Sequence, residues 1–468
     1  MRVVHSVGGS PHRRLMLRAA ITSTLLSLLF VVVYGSTNWL TAHRDAAAVG
    51  KWFFPWELSA TPYVPWLLVP YMSIDLLFFG AAFLCRDDQE LRTYSGRVTF
   101  SIIVAGLFFL VLPLKLAWPA RPYIAGWFGE FVEQSCTAPF LMEYPHNLFP
   151  AMHITLCIIL AEIYSRHTRG WLRSVLMIWF GLIGISTVLT WQHHLIDIAG
   201  GILLAAFAFY LFNESDQLPV ERNTRIGSYY AAGAAILAGL TPLQLPGSVF
   251  LLWPVSALSI VASAYFGIGP RIYCKTDGRL PWSTRIVLAL ILIGQYLSLL
   301  YYRRRSHAWD EVAPGLLVGR MLSENEAAEA VRHGVTAVFD LTAEFSETAT
   351  FRNLRYQNVP ILDLTAPTLI QLQQAVKFIS EEVNHGAVYL HCKIGYSRSV
   401  AVAGAYLLAS GQATSTEEAI AQLRTSRPGM IVRTEITKAI RMFENHIHGK
   451  GSIEQKVPTH HSVLAAGS

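Results

Sequence analysis

The chain has 468 residues, 53% of them hydrophobic and only 15% charged, with a formal net charge of +6 from 37 basic and 31 acidic side chains. Soluble domains carry about a quarter charged residues, so this is the composition of a chain that lies at least partly in a membrane. Its basic residues fall in short clusters between apolar runs, which is a topology pattern and argues against a nucleic-acid surface.

Residues 1–16 are basic (Arg2, Arg13, Arg14), and Leu15 to Leu40 is mostly apolar with no small-x-small cleavage site, so it reads as an uncleaved first span with its N-terminus inside. Further apolar segments lie near 65–85, 98–117, 150–164, 171–190, 194–212, 226–243, 248–268 and 286–302. Several reach the length of about 20 residues that crosses a bilayer. Arginine-bearing loops at 86–97, 166–173 and 221–225 read as cytoplasmic, and 41–63, 118–148 and 191–193 as external. Both flanks of 286–302 are basic, including Arg303–Arg305, so that segment is expected to lie in the interface or re-enter. The expectation is six spans in 1–212, two more plus an interfacial helix in 213–306, a soluble domain at 307–449 and a disordered tail at 450–468.

Three stretches of the apolar half carry chemistry: Lys115-Leu-Ala-Trp-Pro-Ala-Arg-Pro122, Phe149-Pro-Ala-Met-His153, and Ser186 to Asp197 with Gln192-His-His. On this topology each falls at the outer end of a span, where ionisable residues mark function. His193 and Asp197 stand four residues apart, on one helical face, so the carboxylate orients the imidazole. Lys115 and Arg121 are candidate phosphate ligands, and His153 a candidate acid for the leaving alkoxide. Adjacent His193 and His194 face different ways and no third spaced ligand appears, so neither a metal nor a cofactor is expected. The set resembles the type 2 phosphatidic acid phosphatase superfamily, in particular its inositolphosphotransferase and sphingomyelin-synthase-like branch. The resemblance implies His193 as phosphorylated nucleophile, Asp197 as its partner and His153 as acid. Ala151 stands where that family places a phosphate-binding serine, Thr187 where it places an arginine, and the Lys115–Arg121 gap is one residue short of the usual pattern.

From about 307 the pattern turns to soluble α/β. Strands are expected at 315–319, 337–340, 359–362 and 387–390, and helices at 325–334, 368–384, 415–425 and 433–446. Between the last strand and an apolar helix stands His391-Cys-Lys-Ile-Gly-Tyr-Ser-Arg-Ser399. Cys-x5-Arg at that junction places a thiol among backbone N–H groups at a helix N-terminus, an anion site that also favours the thiolate. Arg398 offers a planar fork for two phosphate oxygens, and Gly395 lets the loop curl. The sequence resembles the signature of protein-tyrosine and dual-specificity phosphatases, from about Trp309 to Glu444. That resemblance implies Cys392 as nucleophile, Asp363 (392 − 363 = 29 residues earlier) as general acid with Asp340 as a weaker candidate, His391 as loop support and Ser399 as the group that helps expel the sulfur. Ala387 to Lys393, Asp363 to Leu369 and Ser426-Arg-Pro-Gly-Met are also similar to mitochondrial-type phosphatidylglycerophosphate phosphatases, with Lys393 suited to a polyanionic headgroup.

The expected whole is a multi-pass α-helical membrane domain followed by a cytoplasmic α/β dual-specificity phosphatase domain. It is placed in an inner (plasma) membrane of the bacterial type, where a cytoplasmic thiol stays reduced. It is expected to work among membrane lipids on phosphoprotein Tyr/Ser/Thr, the alternative being a phospholipid phosphatase or phosphotransferase. The cysteines, Cys85, Cys136, Cys157, Cys274 and Cys392, form no disulfide framework.

Overall fold

The computed structural model describes residues 11–43, 49–130, 146–213, 221–241 and 248–454. Cys136 and the tail from 455 lie outside them. The chain divides into two compact units, Met1–Glu214 and Ser215–Ser468.

In the first unit, α1 (Pro11–Ala42), α2 (Leu68–Ala81), α3 (Asp88–Val111), α4 (Met152–His167), α5 (Gly170–Leu189) and α6 (Leu195–Leu211) pack around one apolar core. Its centre is Tyr94, Val98 and Ile102 of α3 with Ile159, Leu160 and Ile163 of α4. Asp87 starts α3 by accepting from the Glu90 N–H at 2.8 Å. The outward faces are apolar too: Leu17, Ile21, Leu25 and Leu28 of α1 and Ile178 and Ile185 of α5 are all more than half exposed.

Five helices among the described residues are long and apolar enough to cross a membrane by length and composition: His12–Ala42, Pro65–Leu84, Asp88–Val111, Gly170–Leu189 and Ser248–Tyr273. The segments expected to span at 150–164, 194–212 and 226–243 form helices of 16, 17 and 16 residues. At 1.5 Å per residue these are shorter than a hydrocarbon core of about 30 Å.

The second unit begins with α7 (Thr224–Gly239) and α8 (Leu252–Ser263), which continues through irregular turns to Tyr273. The expected single segment 286–302 is broken. A short helix, Trp282–Val287, stops at Leu288, and α9 (Ala289–Arg303) starts anew. The indole N–H of Trp253 donates to the Ile286 and Val287 carbonyls at 3.0 and 2.9 Å, satisfying acceptors at the break.

The catalytic-type fold follows. Strands β1 (Trp309–Ala313), β2 (Leu316–Gly319), β3 (Val335–Thr342), β4 (Arg355–Ile361) and β5 (Ala387–His391) form one sheet of order β1-β2-β5-β3-β4. Only β1–β2 is antiparallel. The period-2 alternation of β3 and β5 sends Ala337, Phe339, Leu341, Val388 and Leu390 into the main core, and Val338 and Tyr389 into a second cluster with Ala327, Ala330 and Phe351. Helix α10 (Glu324–Arg332) belongs to that second cluster, while α11 (Leu369–Glu382), α12 (Arg398–Ala409), α13 (Thr416–Ser426) and α14 (Thr434–Glu454) supply the main core. Capping boxes Ser323/Glu326 and Thr368/Gln371 begin α10 and α11. Edge strand β1, Trp-Asp-Glu-Val-Ala, lacks an apolar run and was not expected. The last helix runs to Glu454, into the stretch expected to be a disordered tail.

Candidate active site

Strand β5 is central and buried, and it delivers His391 and Cys392 to the sheet's C-terminal edge, where α12 begins. Cys392 Sγ lies 3.4 Å from Ser399 Oγ and accepts the Gly395 N–H at 3.3 Å. Gly395 has φ +76°, and an added Cβ there would fall 2.5 Å from the Gly319 carbonyl oxygen, so both backbone sign and space require glycine. Burial opposes ionisation of Cys392, but the Arg398 guanidinium, Ser399 and the loop N–H groups outweigh it and hold the thiol below its ordinary value. The loop therefore shifts Cys392 towards its thiolate form.

Arg398 is 2% exposed and already engaged. Its guanidinium donates to both carboxylate oxygens of Glu344 at 3.1 and 2.7 Å, to the Ile361 carbonyl at 2.7 Å and to Asp363 Oδ1 at 3.3 Å. This fork fixes the plane in which a phosphate would be held. Asp363 also receives Lys393 Nζ at 2.5 Å. Burial would raise its carboxyl, but Arg398 and then Lys393 hold it below the usual carboxylate range. Lys393 donates further to Gln295 Oε1 of α9 at 2.8 Å, so the lysine expected to meet substrate is tied between acid and helix.

His391 turns away from the sulfur. Its Nδ1 is 3.4 Å from the Cys392 carbonyl oxygen, while Nε2 lies 2.9 Å from Glu347 and 3.7 Å from Asp340. Burial would lower its pKa, but Glu347 and Asp340 overcome this and push it up to about 9. Asp340 is in register with His391 on the neighbouring strand and lies at the heart of a charge cluster. Lys275, itself buried, donates to Asp340 Oδ2 at 2.6 Å and to the Thr342 carbonyl at 2.9 Å, and Tyr356 donates to Asp340 at 2.7 Å. That removes Asp340 as a candidate acid. Asp340, Glu347 and His391 bring ligand-type atoms within 4.8 Å of one another, but the ammonium of Lys275 already supplies a cation there.

Sequence reasoning missed three residues of this site. Glu344 lies in a loop after β3 with no motif around it. Arg427 donates to the Gly395 and Ile394 carbonyls at 2.9 and 3.2 Å, bracing the loop from behind. It stands in the quoted Ser-Arg-Pro stretch, and its chemistry there was the available signal. Lys275 lies outside the soluble pattern altogether.

A cavity of about 460 Å³ opens above Cys392. Asp363, Lys393, Arg398 and Arg433 line its polar end. Leu290, Ile291, Gly294, Ser298 and Tyr302 of α9, with Tyr230 of α7 and Ile431, line the rest. The volume is that of a small-molecule site.

In the first unit the three chemical stretches meet. The His153 and His193 rings are 6.2 Å apart, His193 Nδ1 is 3.6 Å from Asp197, and Tyr71 Oη is 3.3 Å from His153 Nδ1. Asp197 also accepts the His194 N–H at 2.9 Å, which starts α6. The Ala117 N–H donates to His194 Nε2 at 3.1 Å, so His194 presents its Nδ1–H to Glu57, 3.1 Å away. Glu57, fully buried, also accepts the Phe54 and Leu195 N–H groups, and sequence reasoning passed over it. Thr187 holds His193 through its carbonyl at 2.9 Å, with its hydroxyl turned to Gly184. Arg121 reaches the Trp191 carbonyl at 3.5 Å, and Lys115 is placed by its backbone N–H on Gly50.

Residues 321–446 match the family model for the dual specificity phosphatase catalytic domain. Over 138 residues, 29% of this chain and 40% of the relative, the sequence is 36% identical to Dual specificity protein phosphatase 12 of Mus musculus. Over 142 residues, 29% of this chain and 62% of the relative, it is 26% identical to Phosphatidylglycerophosphate phosphatase PTPMT2 of Arabidopsis thaliana. The chain thus covers less than two thirds of either protein. The crystal structure of Tk-PTP in the active form aligns with 30% of this chain and 97% of its own, at 28% identity and a TM-score of 0.28.

Proposed function

We propose that the C-terminal unit, which contains this dual specificity phosphatase domain, hydrolyses phosphomonoesters of membrane lipids through a cysteinyl-phosphate intermediate. The Cys392 thiolate attacks phosphorus in line. The S–P bond forms as the ester P–O bond breaks, and Asp363 gives its proton to the departing alkoxide. Arg398 and the loop N–H groups carry the charge of the equatorial oxygens. Water then attacks phosphorus, Asp363 takes its proton, and the S–P bond breaks towards a thiolate held by Ser399 and the Gly395 N–H.

The resting ion pairs fit this cycle. Before substrate arrives, Asp363 is a counter-ion of Arg398 and Lys393, and its proton is off. An incoming phosphate dianion takes over those two cations. The carboxyl then loses the partners that held its pKa down, and burial beside the phosphate shifts it towards the protonated form it needs as an acid.

One observation carries the lipid reading: the wall of the Cys392 cavity is the apolar helix α9. Ile293, Leu297 and Tyr301 of that helix are exposed beyond the cavity, and Arg303–Arg305 end it. That is how a helix at an anionic bilayer surface is patterned. The name of the Arabidopsis relative supports a lipid substrate; that of the mouse relative favours a phosphoprotein. The long apolar helices support a membrane-bound chain, and the thiolate chemistry supports a cytoplasmic face for the domain. The test is phosphate release by full-length protein from vesicles of a diacyl phosphomonoester against a phosphotyrosyl peptide. Faster release from the peptide at equal phosphate would refute the lipid reading.

A second reading concerns the histidine cluster: His193, with Asp197 3.6 Å from its Nδ1 and the His153 ring 6.2 Å away, is a phosphoryl-transfer site of its own. Trapping of a phosphohistidine lost in His193→Ala would support it, and an unchanged label in that variant would remove it.

A further inference from the structure

We infer that the helices preceding the catalytic domain hold its general acid in place, with Tyr265 and Asn223 as positioning residues for the Asp363–Leu364 turn. This rests on the assignment of Asp363 as the acid.

Leu364 has φ +61°, a left-handed conformation that a γ-branched residue rarely adopts unless its surroundings enforce it. Within the turn, the Leu364 N–H meets Asp363 Oδ1 at 3.1 Å, and the Thr365 N–H and hydroxyl both return to the Leu362 carbonyl. The two carbonyls at its apex are held from elsewhere. Tyr265 donates its hydroxyl to the Asp363 carbonyl at 2.9 Å, and Asn223 donates its amide to the Leu364 carbonyl at 2.8 Å. Neither residue lies within the matched domain, 321–446.

The two holders are fixed to each other. The Asn223 N–H donates to the Tyr265 carbonyl at 3.1 Å. Asn223 Oδ1 accepts the Ile226 N–H at 3.3 Å, capping α7 and leaving the amide NH₂ aimed at the turn. Tyr265 is 4% exposed and stacks on Tyr230, ring centroids 5.9 Å apart and nearly parallel. These contacts close a ring from α7 to Tyr265 to Asp363 to Leu364 and back to Asn223. A strained turn clamped at both carbonyls keeps its carboxyl where Arg398, Lys393 and a leaving oxygen meet. Freed, it would relax to an ordinary φ and move the proton donor.

A positioning role has a signature that a structural one lacks. Proton donation matters for a poor leaving group and little for a good one, and it is worth on the order of 10²–10⁴ in rate. The test uses full-length protein in detergent, with 4-nitrophenyl phosphate and a simple alkyl phosphate as substrates. Tyr265→Phe keeps the ring stack and loses only the donor. It is expected to lower the alkyl-to-aryl ratio of kcat about tenfold with KM unchanged. Asn223→Asp keeps the helix cap, opposes a carboxylate to the Leu364 carbonyl, and should move the ratio the same way. In an Asp363→Asn background neither change should lower the ratio further. If Asp363→Asn leaves alkyl hydrolysis intact, the acid assignment fails and this inference with it. If Asp363→Asn collapses the ratio while Tyr265→Phe and Asn223→Asp lower both substrates equally, or neither, the acid stands and the positioning role is overturned.

Discussion

The cysteine cluster of the second unit and the histidine cluster of the first hold comparable reactive groups in different states of completion. Each holds a nucleophile-type side chain and a carboxylate: Cys392 and Asp363 line one cavity, and His193 Nδ1 lies 3.6 Å from Asp197. At Cys392 the surrounding loop also supplies backbone donors, a buried arginine oriented by Glu344, and a cavity. At His193 the Thr187 hydroxyl is bonded to its own helix, the Ala151 N–H donates to the Asp197 carbonyl, and neither Lys115 nor Arg121 is brought onto the histidines by a described contact. A phosphate-transfer site needs a cradle for charge as much as a nucleophile, and among the described residues that cradle is assembled at Cys392.

The contrast is broken most directly at the nucleophile. Cys392→Ser should lower aryl phosphate hydrolysis by a factor on the order of 10⁴ or more, while His193→Ala leaves that activity as it was. An equal loss in the two variants would mean that one cluster has been misread. Next comes the fork: Arg398→Lys keeps the charge but loses the bidentate geometry set by Glu344. It should cost about 10²–10³ in kcat, measured on the same substrate.

A third test concerns charge balance below the loop. Lys275→Met leaves Asp340 buried without its cation and should destabilise the second unit by about 3–5 kcal/mol, read from denaturant unfolding. The double variant Lys275→Met/Asp340→Asn removes both charges and should recover most of that loss. A double variant as unstable as the single one would show that Lys275 acts through something other than the pair. The smallest effect is pH-dependent. His391 is raised in the folded state to about 9 from an ordinary value of about 6.5. Its stabilising contribution is therefore complete below about pH 6.5 and is lost as pH rises through about 9. Thermal unfolding in detergent should show stability falling across that window, and His391→Asn should flatten the fall.

Much of the catalytic centre was legible in the sequence because it is local. Cys392, Gly395, Arg398 and Ser399 occupy one loop, and a β-branched strand before it with an apolar helix after it fixes their geometry. Asp363 was legible through the family resemblance, 29 residues before Cys392 and directly after a strand. Glu344 was not, since a carboxylate that pairs with Arg398 from 54 residues away leaves no pattern in either stretch. Lys275, Gln295, Tyr265 and Asn223 were hidden for a stronger reason. Tyr265 and Gln295 sit in apolar segments that read as membrane helices, and Asn223 and Lys275 in the short loops between such segments, and neither pattern says anything of side chains directed at a distant loop. The break at Leu288 also escaped, because the indole that satisfies its carbonyls comes from Trp253, 33 residues before Ile286.

The central claim, that Cys392 removes phosphate from a lipid held against α9, is tested by one comparison. Full-length protein, Cys392→Ser and His193→Ala are reconstituted in vesicles of a diacyl phosphomonoester, and phosphate release is followed in each. The account predicts release by the unaltered protein and by His193→Ala, and none above background by Cys392→Ser. Continued release by Cys392→Ser, or its loss in His193→Ala alone, would contradict it and move the lipid chemistry to the histidine cluster.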